Sequence, residues 1–547
     1  MPTTFGTIAR QSGRWLPLLT ISALAGTLSA LALPTVLGRA VDEIVAGGAS
    51  SYWLVASVVL ILVGITIDLV EAFAGTACAA STTAWLRNRL IRHVLAIGPN
   101  SRFETGDLVT RVSGNAVDAA QAGPVLVTVW LAVLPPIGSL VLLTLIDPIL
   151  AVAFLGGVAL VMLVLRAFTR RTAAVVTSYQ QVQGRIAARL VESLAGARTI
   201  AAAGTVHEEK RRVLRELPEL HDQGMRSWRV LSRSVAQGAV VGPLVTVAVL
   251  GAGGFALLNG RITAGELFAA GQYAVIGAGL GGLTGIFGTL ARARAGAFRA
   301  GEVLSVPPVV YGSRSLEPGP GVLEFREVGV EDVLTDVNLR LPGGAAIAVV
   351  GRSGAGKSVL AGLAARLREP SSGSVLLDGI PLGELTHSAL RRAVGCAFER
   401  PVLVGGTVAD AMGMGRDLVT VKKAARSTHA DPFVARLPLG YNTPLVDAPM
   451  SGGEAQRLGL ARAWPAERLL VLDDATSSLD MVTEMQISQT LTEDHGHRTR
   501  LIVTHRVATA ARADVVVWME SGRVRAVGSH EELWRIEEYR EVFGGQE

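Results

Sequence analysis

The sequence predicts two unlike halves: an all-α domain of six membrane-spanning helices, then an α/β domain built around a parallel sheet. Three observations carry this. Half of the 547 residues are hydrophobic and 18% are charged, where soluble domains average about 25% charged. The long windows almost free of charge all lie before residue 291. Beyond residue 320, short apolar runs alternate with helix-length stretches, the pattern of parallel strands and crossover helices. With a mean hydropathy of +0.41, a disordered or collagen-like chain is excluded and a wholly soluble one is not expected. Cys78 and Cys396 are the only two cysteines and stand far apart, so neither a disulfide framework nor a Cys-based zinc site is expected. The net charge of +5 could suit a nucleic-acid partner, but the basic residues are sorted around the apolar segments and none is expected.

About 20 apolar residues cross the hydrocarbon core. Six windows meet this requirement, at about residues 15–38, 52–86, 119–146, 148–165, 234–260 and 267–290. Asp68 and Glu71 interrupt the second window, and Asp147 alone separates the third from the fourth. The connections Arg87–Asp118 and Arg166–Arg233 carry 5 and 13 Lys or Arg, and the N-terminus adds Arg10 and Arg14. The opposite loops contribute only Arg39 and Arg261. Basic loops stay inside. The asymmetry therefore predicts a multi-pass protein of the bacterial inner (plasma) membrane with both termini cytoplasmic. The first window is too long for the core of a signal peptide, although Ala30-Leu31-Ala32 resembles a cleavage site.

The Arg166–Arg233 connection is helix-patterned, so the fourth and fifth spans are expected to continue as helices beyond the bilayer. Gly277, Gly279, Gly281, Gly282, Gly285 and Gly288 crowd the sixth. Small residues allow close helix packing; bending is the other reading. Asp68 and Glu71, three apart, share one face of a helix. Intramembrane carboxylates face a cavity or a partner, which leaves two readings open: attraction of a cationic substrate, or pairing with a polar group on another helix. A Pro- and Gly-rich stretch, 301–320, reads as a linker, dividing a membrane domain, 1–300, from a nucleotide-binding domain, 321–547.

In the second half, the apolar run Ala345–Val350 leads into Gly351-Arg352-Ser353-Gly354-Ala355-Gly356-Lys357-Ser358 and then a helix, Val359–Leu367. Strand, glycine-rich loop and helix are the setting a P-loop requires. Its N–H groups and helix N-terminus suit the phosphates of ATP. Lys357 is expected on the β- and γ-phosphates and Ser358 on Mg²⁺. A second apolar strand, Leu469–Leu472, ends in Asp473 and Asp474. Asp473 is placed to hold Mg²⁺, and Asp474 falls where a water-polarising base belongs. Between them lies Met450-Ser451-Gly452-Gly453-Glu454-Ala455-Gln456-Arg457.

The order of P-loop, Ser-Gly-Gly signature, acid-terminated strand and later histidine resembles that of ATP-binding cassette (ABC) transporters. Six spans followed by one cassette look like an ABC exporter half-transporter. The resemblance covers nearly the whole chain. Phe103–Arg111, Gly196–Ala203 and Gly260–Leu267 also resemble stretches of that exporter's membrane domain. It implies that Ser451, Gly452 and Gly453, with Glu454 beside them, cap a helix meeting the γ-phosphate held by the other subunit. It implies that Asp480 is the D-loop acid, His505 the switch histidine and Glu399 the Q-loop metal ligand.

Four departures from the family pattern shape the functional expectation. Asp474 stands where hydrolytic sites carry Glu. Its side chain is one methylene shorter, about 1.5 Å of reach, whereas a base must come within ~3 Å of its water. Glu399 replaces the Q-loop Gln and adds negative charge near the triphosphate. No Phe, Tyr or Trp occurs from Arg326 to Val350, where the family stacks an aromatic on adenine for about 1–3 kcal/mol. Phe325 reads as a strand-core residue. The segment Thr443–Pro449 lacks the family's Gly-Glu pair. The Walker face is weakened while the signature face is kept, with Met450 for Leu and Glu454 for Gln. The leading expectation is the degenerate-site subunit of a heterodimeric exporter of a small molecule or peptide, coupled to a second half-transporter. The alternatives are an active homodimer, a siderophore-type importer on the exporter fold, and a nucleotide-sensing pseudo-ATPase partner.

Overall fold

A computed structural model describes residues 5–47, 51–98, 103–278, 283–493 and 498–544, with backbone only at 160–177, 180, 230–231, 233–235, 237–241, 283–284 and 492–493. Contacts divide the chain into two units: Met1–His93 with Phe103–Val306, and Val94–Arg102 with Pro307–Glu547.

The first unit is all helical: α1 (Phe5–Arg10), α2 (Trp15–Val45), α3 (Tyr52–Ile97), α4 (Thr105–Thr110), a π-helical turn (Arg111–Asn115), α5 (Ala116–Ala120), α6 (Ala122–Leu131), α7 (Leu134–Ile146), α8 (Pro148–Ala195), α9 (Ala197–Ala203), α10 (Val206–Leu214), α11 (Leu217–Leu258), α12 (Ala264–Ala278) and α13 (Leu283–Ser305). Among the described residues, the stretches Trp15–Val45, Tyr52–Ile97 and Thr105–Ile146 are long and apolar enough to cross a membrane. Shorter apolar pieces, Pro148–Ala159 and Gly242–Leu258, sit within α8 and α11. Leu62, Leu69 and Phe73 of α3 stay exposed, as a lipid-facing surface requires.

The third apolar window is not one helix. It breaks between α6 and α7 because Pro135 and Pro136 lack the N–H that would continue the ladder to Leu131 and Ala132. α8 and α11 run unbroken beyond their apolar windows and pack along each other. Arg185 bridges Glu216 and Glu219 there, at 2.7 and 3.0 Å. Gly279, Gly281 and Gly282 of the sixth window lie outside the described residues. Of its other glycines, Gly277 packs against Phe154 and Ser139, where a Cβ would not fit. α2 meets α12 as closely as backbones allow: a Cβ on Gly38 or Gly265 would overlap the other's carbonyl. Asp42 holds this contact by accepting from the Gly265 N–H at 2.6 Å and the Thr263 hydroxyl at 2.7 Å.

The second unit contains β1 (Leu323–Val330), β2 (Leu334–Leu341), β3 (Ala346–Val350), α14 (Lys357–Ala364), β4 (Ser372–Leu377), β5 (Ile380–Pro381), α15 (His387–Ala393), β6 (Val394–Phe398), α16 (Val408–Gly413), α17 (Leu418–Ser427), α18 (Asp431–Val434), α19 (Gly452–Ala463), β7 (Leu469–Asp473), α20 (Met481–Glu493), β8 (Thr499–Val503), α21 (Val507–Ala511), β9 (Val515–Glu520) and β10 (Arg523–Gly528). The main sheet has the order β10-β9-β3-β8-β7-β6. All its strands but the edge strand β10 run parallel. β3 and β7 read as unbroken apolar runs because helices cover both faces of a parallel sheet. A smaller antiparallel sheet, β2-β1-β4-β5, packs beside it.

The Pro-rich segment before β1 is docked. Arg366, buried and at φ 49°, ends the first cassette helix. It donates to the carbonyls of Val310 and Leu382, at 2.5 and 3.1 Å, and lies over the Tyr311 ring at 4.7 Å.

Candidate nucleotide site

In an open parallel sheet, ligands bind beyond the carboxyl ends of the strands. That edge gathers the residues singled out in the sequence. Gly351–Ser358 follows β3, His505 follows β8, Asp473 and Asp474 end β7, and Glu399 follows β6. Four neighbouring strands thus bring together residues from Gly351 to His505 in the sequence.

The loop after β3 owes its path to glycine. Gly354 and Gly356 adopt φ of 82° and 94°, a region where a Cβ is strained. A Cβ on Gly354 would meet nothing within 4 Å, so this bend opens onto free space. The helix that follows starts at Lys357, two residues before its sequence-predicted start, and stops at Ala364, where Arg366 turns left-handed. Lys357 is 6% exposed. Its ammonium donates to the carbonyls of Gly351 and Arg352, at 2.8 and 3.1 Å, which folds it across its own loop. Burial pulls its pKa below the usual range, and the carboxylates of Asp474 and Asp473 oppose that pull. Arg352 reaches away from the loop and pairs with Glu541 at 2.8 Å. Ser353 and Ala355 contribute backbone to the turn.

The Ser358 hydroxyl donates to Asp473 at 2.9 Å, so two oxygen ligands converge at the loop's end. Burial raises the Asp473 pKa; the Ser358 hydrogen bond lowers it and Glu399 raises it. Hydroxyl and carboxylate oxygens are the donors Mg²⁺ prefers. The site therefore fits that ion, with Glu399 near enough to act on Asp473 electrostatically. The Glu399 side chain leans towards Arg400, at 3.8 Å.

Asp474 stands at φ 49°, a left-handed conformation that Asp adopts more readily than longer side chains. Its Oδ2 lies 3.6 Å from Nε2 of His505. Burial raises its pKa, His505 counteracts this, and Asp473 adds to the rise. An acid and a histidine thus share one corner of the site. Phe325, the nearest aromatic upstream of the loop, is 2% exposed in the core of the smaller sheet. It is occupied by packing, as its strand pattern predicts.

Ser451, Gly452 and Gly453 form a different surface. Ser451 caps α19: its hydroxyl accepts from the Glu454 N–H at 3.3 Å, and Glu454 accepts from the Ser451 N–H at 2.8 Å. This reciprocal box satisfies two helix-end donors. The Ser451 N–H bond holds the Glu454 carboxyl below its usual range. No hydrogen bond or ion pair among the described residues links Ser451–Gly453 to Gly351–Ser358. Asp480 caps α20 by accepting from Thr483 N–H at 2.9 Å.

Sequence reasoning missed Gln456, which it passed over as part of the signature stretch. This residue is 2% exposed. Its amide donates to the Glu399 carbonyl at 2.7 Å and the Ser477 hydroxyl at 3.0 Å, and accepts from Ser478 N–H at 2.9 Å. One buried side chain thereby ties the signature helix to the segments carrying Glu399 and Asp480. The signal available was its spacing from Gly452, one helical turn inward on the buried face.

Comparison with known proteins fits this geometry. The family model for the ABC transporter transmembrane region matches residues 16–277, and that for the ABC transporter matches residues 334–477. The ABC transporter ATP-binding protein RamA of Streptomyces coelicolor is 45% identical over 547 residues, covering 98% of this chain and 86% of that protein. The fatty acid ABC transporter ATP-binding/permease protein of Mycobacterium bovis is 32% identical over 450 residues, covering 79% of this chain and 70% of that one. A solved bacterial Atm1-family ABC exporter with ATP bound shares the fold, with a TM-score of 0.80 at 24% identity over 98% of this chain and 99% of the other. A membrane domain and a cassette joined in one chain, with a relative alike along nearly its whole length, make this protein a member of the ABC transporter family, an ATP-binding protein of membrane transport.

Proposed function

We propose that this chain is one half of a dimeric ABC exporter and supplies the weakly hydrolysing ATP site of a heterodimer. Two cassettes of this family form two sites, each from one chain's P-loop and the other's signature. One observation carries the proposal: three of the four departures fall on the P-loop face, while the signature residues themselves are kept. Asp474 is short, Glu399 is charged, and the nearest upstream aromatic, Phe325, is buried in the core. Ser451–Gly453, in contrast, crown a fully capped helix. In a homodimer both sites would inherit the weak face. In a heterodimer this signature completes a partner's intact site.

On this reading, Gly351–Ser358 wraps the phosphates of ATP, and Lys357 swings from its two carbonyls to the β- and γ-phosphates. Ser358, Asp473 and Glu399 would hold Mg²⁺, which neutralises phosphate charge when bound. Asp474 would orient water, with His505 beside it, and losing reach there costs about 10²–10⁴ in rate. ATP held at this slow site would keep the cassettes together between turnovers. The membrane domain is read as six spans with both termini cytoplasmic, the partners being the lipid bilayer, a second half-transporter and a small-molecule or peptide substrate.

The test is purification of the chain alone and with the half-transporter encoded beside it. In the pair, replacing the partner's catalytic Glu by Gln should remove most ATP turnover, while Asp474→Asn should change it less than about threefold, well under the 10²–10⁴ of a lost base. Fast hydrolysis by the lone chain that is lost in Asp474→Asn would establish the homodimer instead.

A further inference from the structure

A cavity of ≈ 380 Å³ opens inside the membrane unit, walled by α2, α3, the α6–α7 break and residues Ile276 and Ile286. Most of its wall is aliphatic. Asp68 and Glu71 project into it from α3, with Thr27 and Thr128 as further polar groups. Both carboxylates converge on one point: a Cβ on Gly26 would lie 3.7 Å from an Asp68 oxygen and 3.8 Å from a Glu71 oxygen. The same Cβ would press on Ile67 at 3.3 Å, so glycine lets α2 pass close to both carboxylates.

Neither carboxylate has an ion-pair or hydrogen-bond partner among the described residues. A charge held in the membrane without a counter-charge is costly, which favours a cationic guest over a partner within the described part of this chain. The α6–α7 break supplies backbone to the same lining. Pro135 and Pro136 deprive the carbonyls of Leu131 and Ala132 of their helical donors, and both residues line the cavity. Backbone of this kind persists at membrane depth where it borders a cavity. Two carboxylates among aliphatic walls form a surface of negative potential inside the membrane unit. Most of the lining is aliphatic, with Asp68 and Glu71 as its acidic groups, a setting that suits an ion carrying apolar bulk around its charge.

We infer that this cavity binds an amphipathic organic cation, whose charge sits between Asp68 and Glu71 and whose apolar body lies against α2, α6 and Ile276. The inference names a substrate class and so rests on the transporter reading above.

The probes are tetraphenylphosphonium and tetraphenylborate, which share a shape and differ in charge sign. Binding is measured by equilibrium dialysis to the full chain, with its co-purifying subunit, in nucleotide-free lipid nanodiscs and corrected for empty nanodiscs. The wild type should prefer the cation. The Asp68→Asn/Glu71→Gln double variant should bind it about ten- to a hundredfold more weakly, as expected for a close charge contact in a partly wet site, and keep its affinity for the anion. Should that variant fail to assemble on size exclusion, Gly26→Val fills the same point without changing charge, and cation affinity should fall at least tenfold. Equal wild-type binding of the two ions overturns the inference, as does undiminished cation binding by the double variant or by Gly26→Val. Because nucleotide is absent, either failure leaves ATP-driven transport standing. That reading fails separately, if Lys357→Ala leaves ATP affinity unchanged.

Discussion

Lys357 sits 6% exposed with its ammonium on two carbonyls of its own loop, so its charge is desolvated before any phosphate arrives. An anion placed there meets an under-solvated cation, which strengthens the attraction. Lys357→Ala should therefore weaken MgATP binding at least tenfold, measured by nucleotide fluorescence, and chelation of Mg²⁺ should do the same in the wild type. Gln456 poses the opposite problem: it is buried and fully used. Gln456→Leu would strand the Ser478 N–H and the Glu399 carbonyl, at about 1–3 kcal/mol for each unsatisfied group. The expected result is a thermal midpoint lowered by several degrees. Gln456→Glu should keep the contacts to the Ser478 N–H and the Ser477 hydroxyl, both able to donate, and lose the one to the Glu399 carbonyl. An unchanged midpoint in Gln456→Leu would show that water replaces the amide.

At the scale of elements, the cap of α19 and the break between α6 and α7 are local features with separate consequences. Ser451 and Glu454 satisfy each other's backbone, so Ser451→Ala should cost about 1 kcal/mol, read from chemical denaturation of the purified protein. Glu454→Gln keeps the geometry and should cost less than half of that, because only the charge at the helix N-terminus is lost. Asp474 shows how an element's end selects its residue. The turn leaving β7 is left-handed there, which suits Asp. Asp474→Glu would gain reach towards water but carry a longer side chain through that turn. A faster chain in single-site turnover would mean that reach, rather than backbone, limits this site.

For the whole molecule, the decisive expectations are membrane topology and the identity of the second half. Single cysteines near Gly47 and near Gly204, in a background lacking Cys78 and Cys396, should label from outside intact cells at Gly47 only. Labelling at Gly204 instead would invert the orientation drawn from the Lys and Arg asymmetry. The proposed division between a slow and a fast site predicts that the lone chain turns over ATP far more slowly than the assembled pair.

Much of this protein was legible in its sequence because the signals are local or periodic. Charge-free windows report helices in lipid, and apolar runs flanked by glycine report buried parallel strands. A glycine-rich loop between strand and helix is a contiguous motif, so its left-handed bends were implied by the residues that tolerate them. Other features arise from contacts between distant segments, which no local pattern encodes. The order β3-β8-β7-β6 brought His505 to Asp474 and Ser358 to Asp473. Folding alone showed that Gln456 joins three segments and that Arg366 docks the Pro-rich stretch. The sequence put Asp68 and Glu71 on one helix face but left their partner open. Only the packing of α2 at Gly26, with the proline-broken α6–α7 in the same lining, placed them around a cavity without a counter-charge among the described residues. Helical periodicity dictates which residues share a face, whereas what that face meets is decided by chain segments far away in sequence.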